Sequence, residues 1–479
     1  MSDTLNLVIF GITSNLSQIK LIPALYDLAN ADKLPEKINI IGVARAPKST
    51  EEIKQFFSDT LEQENRHHLH PIKPEVLVQL LSRVTYLDGH LDDPLFYPKL
   101  EEYLLKMNPD ENFNTIFYLA TYPSLYSVIF SNLQTQKLNQ ETHGWVRLMI
   151  EKPIGSDLES AQKLNTLLNT FFKESQIYRL DHYLGKETLQ NILTFRFGNS
   201  VFEQLINKDN VDHIQISALE DFGIGKRGDY YDSVGALKDV GQNHLLQMIT
   251  LATMEKPLTF NNEEITKERT KVLEALLPDS TKVVFGQYSG YTKEEHVDFS
   301  SKTDTFFAFK TEIKNDRFKG VPIYVRGGKK LNQTVTEISI VFKEAKDTPF
   351  TDIHTGIKPN VLIYRIQPNE GIVLKIMTKK SGYTQELEET YMQFCFRDYE
   401  TTLPDPYEKL IADAINGDQT YFNAAKEVEA EWKFIDPLYK TKTVPFSYES
   451  GTYGPKEANQ LIEDDGRKWL DPSMMFCKI

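Results

Sequence analysis

The first 150 or so residues alternate short apolar runs with amphipathic segments, and this alternation narrows the possible folds more than any other feature. The runs "LNLVIFG", "INIIGVA", "VTYLDGH", "NTIFYLA" and "WVRLMIEKP" have strand length. Between the first two, "IKLIPALYDLANADK" places Ile19, Ile22, Leu25, Tyr26 and Ala29 on one helical stripe. Strands separated by helices are too far apart in sequence for hairpins. They form a parallel sheet covered by the crossover helices. Beyond about residue 200 the texture changes. "VDHIQISALE", "TDTFFAFKTEI", "TEISIVFKEA", "NVLIYRIQ" and "GIVLKIMTK" alternate polar and apolar residues, and "PNEG" joins the last two tightly. These runs predict a large, mainly antiparallel sheet with one face covered by helices such as "LKDVGQNHLLQMITLATME" and "YEKLIADAIN".

The 479 residues exceed one ordinary core, and 40% hydrophobic with 25% charged residues is a globular composition. A formal charge of −14 disfavours nucleic-acid and anionic-membrane partners, so a phosphate site has to gather its cations locally. No apolar run spans a bilayer, and the N-terminus lacks the basic and apolar regions of a signal peptide. Cys395 and Cys477, far apart and without metal-type spacing, fit a reducing cytosol and argue against a disulfide framework.

Chemistry-bearing residues cluster in few places. "GITSNL" follows the first strand. Gly11 allows a tight turn, and Thr13, Ser14 and Asn15 are either helix caps or donors to a phosphate at a helix N-terminus. The second strand ends in Arg45, where an acid would meet a ribose hydroxyl and an arginine accommodates a 2′-phosphate. "RLDHYLGKETLQ" brings together Asp181, His182 and Lys186. "KDVGQNHLLQMI" sets His244 and Asp239 in an apolar helical segment. "EKP" ends the fifth strand with Lys152, with Pro153 able to be cis. "RGGKKLN" is an exposed basic turn or a further phosphate contact. "RHHLH", with His67, His68 and His70, lacks a fitting carboxylate or thiolate partner pattern and lies in a polar stretch, so it reads as solvated surface and no metal is expected. The expected architecture is a Rossmann-type α/β parallel-sheet domain over residues 1–181. A larger α+β domain with a mainly antiparallel sheet follows over 182–479.

At "RLDHYLGKE" the chain resembles glucose-6-phosphate dehydrogenases, and the resemblance runs nearly end to end. "EKPIGSDL", "QNILTFRFGN", "DVGQNHLLQMITLATMEKP", "VPIYVRGGKKLN", "IQPNEG", "DPYEKLIADAINGDQTYF" and "YGPKEAN" stand in that family's order. The resemblance implies oxidation of glucose 6-phosphate to 6-phospho-glucono-1,5-lactone with hydride transfer to NADP, the first step of the oxidative pentose phosphate pathway. It makes His244 the general base and Asp181 its orienting carboxylate. It gives the phosphate to His182, Tyr183 and Lys186, and the sugar to Glu220, Asp239 and Lys329. Lys152 falls between sugar and cofactor. Gly11, Thr13, Ser14, Asn15, Leu16 and Arg45 become the cofactor residues. It also implies a cytoplasmic homodimer or homotetramer. One departure concerns the loop, where the family usually has "GxxGDL" and this chain has Ser14 and Asn15. A sugar-phosphate-binding regulator without dehydrogenase activity is the alternative, and an oxidoreductase of another sugar a third reading.

Overall fold

The apolar runs near the N-terminus are strands: β1 (Thr4–Phe10), β2 (Lys37–Ala44), β3 (Val84–Asp88), β4 (Asn114–Leu119) and β5 (Val146–Ile150), joined by a short β6 (Ile177–Arg179). The computed structural model describes residues 4–64, 71–346, 348–350, 357–399, 403–440, 444–472 and 477. "RHHLH" lies outside them. The six strands form one parallel sheet in the order β3-β2-β1-β4-β5-β6. Strand order thus reverses beside β1, the topology that opens a ligand crevice beyond the carboxyl ends of β1 and β4. β4 is buried along its whole length, as a strand covered on both faces must be.

The first helix departs from its expected stripe. Residues 17–21 form a π-turn in which the Ile22 amide donates to the Ser17 carbonyl, and an α-helix continues over Ile22–Asn30. Pro23 has no N–H to give the Ile19 carbonyl, so an uninterrupted α ladder is not available there. The wider turn rotates the register: Leu21 is buried and Ile19 is 42% exposed, while Ile22, Leu25 and Tyr26 face the core as expected.

The chain divides into two compact units. One comprises Met1–Gly155, Glu159–Gly185 and Pro404–Ala425; the other Ser156–Leu158, Lys186–Leu403 and Lys426–Ile479. One break between the units falls at 185/186. A single cut in sequence does not describe the partition, because residues 404–425 return to the first unit. Their helix, Pro406–Asn416, is well specified locally. Asp405 accepts from the Tyr407 amide, Glu408 accepts from the Asp405 amide, Pro406 occupies the first turn and Gly417 ends the helix at φ +82°. Arg147 of β5 donates to the carbonyls of Ala414 and Ile415, both at 2.7 Å, placing a cation on the helix C-terminus.

The second unit is built on nine strands: β7 (Val211–Leu219), β8 (Val283–Tyr288), β9 (Phe306–Thr311), β10 (Ile323–Gly328), β11 (Val335–Phe342), β12 (Val361–Gln367), β13 (Gly371–Lys379), β14 (Leu387–Cys395) and β15 (Phe446–Tyr448). Their order is β14-β13-β12-β11-β7-β10-β9-β8-β15, antiparallel except for the β7–β10 and β8–β15 pairs. The expectation that one face is covered is too small. β7, β10 and β11 are buried on both faces.

The second cover is a strap of residues 464–472. Arg467 pairs bidentately with Asp212, at 2.8 and 2.9 Å. Gln215 donates to the Lys468 carbonyl and accepts from the Leu470 amide. Arg326 and Arg365 donate to the carbonyls of Leu470 and Pro472. The polar residues that alternate along β7 are therefore not solvated; they hold the strap.

Beyond the strap, Cys477 is joined to Cys395 at the end of β14 by a disulfide, with Cα atoms 5.4 Å apart. Both cysteines are buried beside Val341, Val361, Ile363 and Val373. This corrects the reading of two unlinked thiols. A separation of 82 positions says nothing about proximity once the strap has carried the chain back across the sheet. Opening the pair, by Cys477→Ser or by reductant, is expected to lower the unfolding free energy by about 2–4 kcal/mol, the usual cost of releasing a long closed loop. Denaturant midpoints with and without dithiothreitol measure this; coincident curves would show the pair open in the folded protein.

Candidate active site

In the first unit, the loop after β1 is ordered by its own backbone. The amides of Gly11 and Ile12 donate to the Val43 carbonyl at 2.9 and 3.2 Å, and Ser14 N–H to the Gly11 carbonyl at 2.8 Å. Gly11 has φ +92°, and a Cβ there would lie 2.3 Å from the Ala120 carbonyl oxygen. No other residue fits that position. Ser14, by contrast, is not in the left-handed region. Its hydroxyl accepts from the Ser17 amide at 3.2 Å, and the Ser17 hydroxyl returns to the Gly11 carbonyl at 2.9 Å. The serine in place of a second glycine is thus turned back onto the helix start as a cap. Thr13 and Leu16 are half-buried and Asn15 is exposed. Arg45 is exposed just past β2.

Lys152 follows β5 with a cis Lys152–Pro153 bond. The Tyr183 amide donates to Asp181 Oδ1 at 2.9 Å, and His182 packs edge-on against the Tyr183 ring. Sequence reasoning missed the residue that organises this corner, Tyr407. His182 stacks on its ring with centroids 6.4 Å apart, and Lys20 Nζ sits 6.0 Å above it while pairing with Asp405 at 3.2 Å. The Tyr407 hydroxyl bonds Glu151, as does that of Tyr118 at 2.5 Å. Burial raises the pKa of Glu151, against the Tyr118 hydrogen bond and the charge of Lys152. "DPYEKL" carried a helix-start signal, but nothing local could show that its tyrosine returns to the first unit. A cavity of about 130 Å³ in the same unit, lined by Phe113, Thr115, His143 and Val146 among others, opens at the opposite ends of the strands. None of the candidate residues lines it.

In the second unit, β7 and β10 run parallel and end side by side, which brings Glu220 and Lys329 into an ion pair. Lys329 Nζ lies 5.2 Å from the Phe222 ring and 5.4 Å from that of Tyr231. Tyr231 is fully buried, and its pKa is raised well above normal by burial, then by the charges of Asp239, Asp304 and Glu220. The Glu220–Lys329 pair thus lies beside a buried phenol that the sequence reading did not single out. Lys186 donates to Gln367 Oε1 at 2.7 Å. Arg326 belongs elsewhere. It is 2% exposed, stacks on Trp469, donates to Ser217, and burial lowers its pKa to about 10. "RGGKKLN" is thus not a single exposed basic turn.

His244, 2% exposed, occupies a π-turn, Leu237–Leu245, that runs into the helix Leu246–Thr253. Its start is set by Gly235, at φ +76°, where a Cβ would meet Asp304 Oδ1 at 2.4 Å. The buried Asp304 accepts from the Leu237 amide at 2.9 Å. A π-turn is uncommon and is found disproportionately at functional positions.

A doubly wound α/β sheet with a glycine turn after β1, in one chain with an α+β unit on a mainly antiparallel sheet, is an architecture of dinucleotide-dependent oxidoreductases. Comparison with known proteins agrees along the whole chain. Residues 8–191 match the family model "Glucose-6-phosphate dehydrogenase, NAD binding domain", and residues 193–470 that of the glucose-6-phosphate dehydrogenase C-terminal domain. The chain is 40% identical to glucose-6-phosphate 1-dehydrogenase of Chlamydia pneumoniae over 97% of its own length and 95% of that protein's. It is also 40% identical to that of Aggregatibacter actinomycetemcomitans, covering 98% of each. A glucose-6-phosphate dehydrogenase solved with its substrate glucose 6-phosphate superposes with a TM-score of 0.90 at 35% identity, covering 98% of this chain and 99% of that one. The chain belongs to the glucose-6-phosphate dehydrogenase family.

Proposed function

We propose that this protein oxidises glucose 6-phosphate at C1 to 6-phospho-glucono-1,5-lactone with NADP as oxidant, opening the oxidative pentose phosphate pathway. The observation that carries the reading is the Glu220–Lys329 pair in the unit that buries His244, within a chain matched to family members over 97% of its length. The residues also fit the cofactor. Gly11 leaves a turn that no side chain could fill, Ser14 is folded away as a cap, and Arg45 stands free of burial past β2. When bound, NADP supplies the acceptor for the C1 hydride.

The protein's own groups do the rest. His244 removes the proton of the C1 hydroxyl, and Asp181 is assigned the carboxylate that orients the imidazole and stabilises its cation. Glu220 and Asp239 accept from sugar hydroxyls while Lys329 donates. Such a set has to be fully paired when water leaves. His182, Tyr183 and Lys186 hold the phosphate, with Gln367 fixing Lys186. Gly11, Thr13, Ser14, Asn15 and Leu16 form the dinucleotide loop, and Lys152 stands between the two ligands.

The protein is also assigned to the cytoplasm and to a homodimer or homotetramer. Among the described residues no helix is long and apolar enough to cross a membrane, and Met392 at the exposed β14 edge is 60% accessible, a residue type suited to a subunit interface. The buried Cys395–Cys477 pair is unusual for that compartment and makes its redox state in cells worth measuring.

The test of the activity is absorbance at the reduced-nicotinamide band with purified protein, glucose 6-phosphate and either NADP or NAD. Reduction of NADP supports the reading. Tight sugar-phosphate binding without reduction of either cofactor would favour the regulatory alternative. Arg45→Ala is expected to lower kcat/KM for NADP by about 10–100-fold, the worth of one or two charge-assisted bonds, and leave that for NAD unchanged. An equal loss with both cofactors would remove Arg45 from the 2′-phosphate.

A further inference from the structure

The π-turn that carries His244 is held from outside by one buried carboxylate. Glu431, on the helix Ala425–Lys440, is 1% exposed. Its Oε2 accepts from Gln242 Nε2 at 3.1 Å and its Oε1 from Gln247 Nε2 at 2.6 Å. Gln247 is in turn fixed through its own Oε1 by the Thr250 hydroxyl at 3.2 Å. The two amides stand two residues before and three residues after His244, one in the π-turn and one in the α-helix that follows. One turn earlier on the same helix, Glu427 is also fully buried but is matched by Arg269 at 2.8 Å. That neighbour is an ordinary internal ion pair. Glu431 accepts from two side-chain amides on the segment that flanks His244.

A π-turn closes i→i+5 bonds and is rare, so side chains along it point away from their α-helical directions and its pitch has to be imposed. A buried carboxylate is an expensive way to pack two helices, since an apolar pair of similar volume does so at no desolvation cost. It does supply fixed acceptors on both sides of the transition between pitches. We propose that Glu431 is a positioning residue for the reaction: by clamping Gln242 and Gln247 it sets the π-to-α junction, and so the direction of the His244 imidazole. This rests on the assignment of His244 as the base.

The test uses the full-length protein and three variants. Glu431→Gln keeps the volume and loses an acceptor. It is expected to lower kcat about 10–50-fold with KM for glucose 6-phosphate and for NADP within about twofold, the signature of an interaction felt in the transition state. Glu431→Gln with Gln247→Glu moves the carboxylate to the facing helix and restores both bonds, and should return kcat to within about threefold of the starting enzyme. If the Glu431 variants do not fold, Gln242→Met breaks one of the two bonds without adding a polar group, and about a threefold loss in kcat is expected.

A second readout does not need turnover. In protein labelled at histidine 13Cε1, the His244 signal, assigned by its absence in His244→Asn, should move in Glu431→Gln and return in the exchanged pair. An unmoved signal with unchanged kcat in folded Glu431→Gln overturns the proposal. So does a fall in kcat with parallel rises in both KM values that the exchanged pair does not reverse. If the unmodified protein fails to reduce NADP, the functional reading falls by itself. The histidine signal then still decides the placement, displacement supporting it and constancy overturning it.

Discussion

His244→Asn is expected to lower kcat by about 10⁴-fold while the protein folds and binds glucose 6-phosphate as before. Asparagine fills most of the imidazole volume, so the buried π-turn keeps its packing, but it cannot take a proton near neutral pH. Substrate grip is assigned to other side chains: Lys186, held by Gln367, and the Glu220–Lys329 pair. KM should therefore change little beside kcat. Steady-state kinetics together with calorimetric binding of glucose 6-phosphate separates the two effects. Turnover close to that of the unmodified enzyme would remove His244 from the chemistry. Loss of binding with loss of turnover would make it a structural core histidine.

The second large effect is at Gly11. A left-handed backbone at φ +92° is strained for alanine, and the added Cβ would stand 2.3 Å from a main-chain oxygen of Ala120, which no rotamer change relieves. Strain alone costs roughly 1–3 kcal/mol. The rest is avoided only if β1 and β4 separate where Ala120 N–H now donates to the Phe10 carbonyl at 2.9 Å. Gly11→Ala is expected to destabilise the first unit by about 3 kcal/mol or more. It should also raise KM for NADP at least tenfold, because one bonded turn carries both the strand end and the helix start. Denaturant unfolding and cofactor titration measure the two effects. Normal values for both would mean that the turn is neither strained nor part of the cofactor loop.

The candidate site residues were chosen from their order along the chain. "GITSNL", Arg45, "DHYLGK" and "QNH" were visible because the chemistry they carry depends on neighbours within one turn or one strand end. Tyr407 and Tyr231 were not. A tyrosine inside a helical run is ordinary core until the fold shows what meets it: Glu151 for the first, and for the second the Glu220–Lys329 pair. Ser14 was legible as a departure from the usual loop. Its meaning was not, since only the folded turn shows the hydroxyl spent on the Ser17 amide.

Periodicity by itself determined the two kinds of sheet and five of the six strands of the first sheet, while the three-residue β6 was too short to show in it. These follow from local steric preference and from the repeat of apolar residues, both written in consecutive positions. Tertiary structure alone decided that residues 404–425 belong with the first sheet and that the strap covers the polar rows of β7. It also decided that two distant cysteines are bonded, and that a π-turn rather than an α-turn presents His244. Each of these depends on which buried donor meets which acceptor across tens or hundreds of residues. That choice is made by the free energy of burial over the whole fold, and no window of sequence contains it.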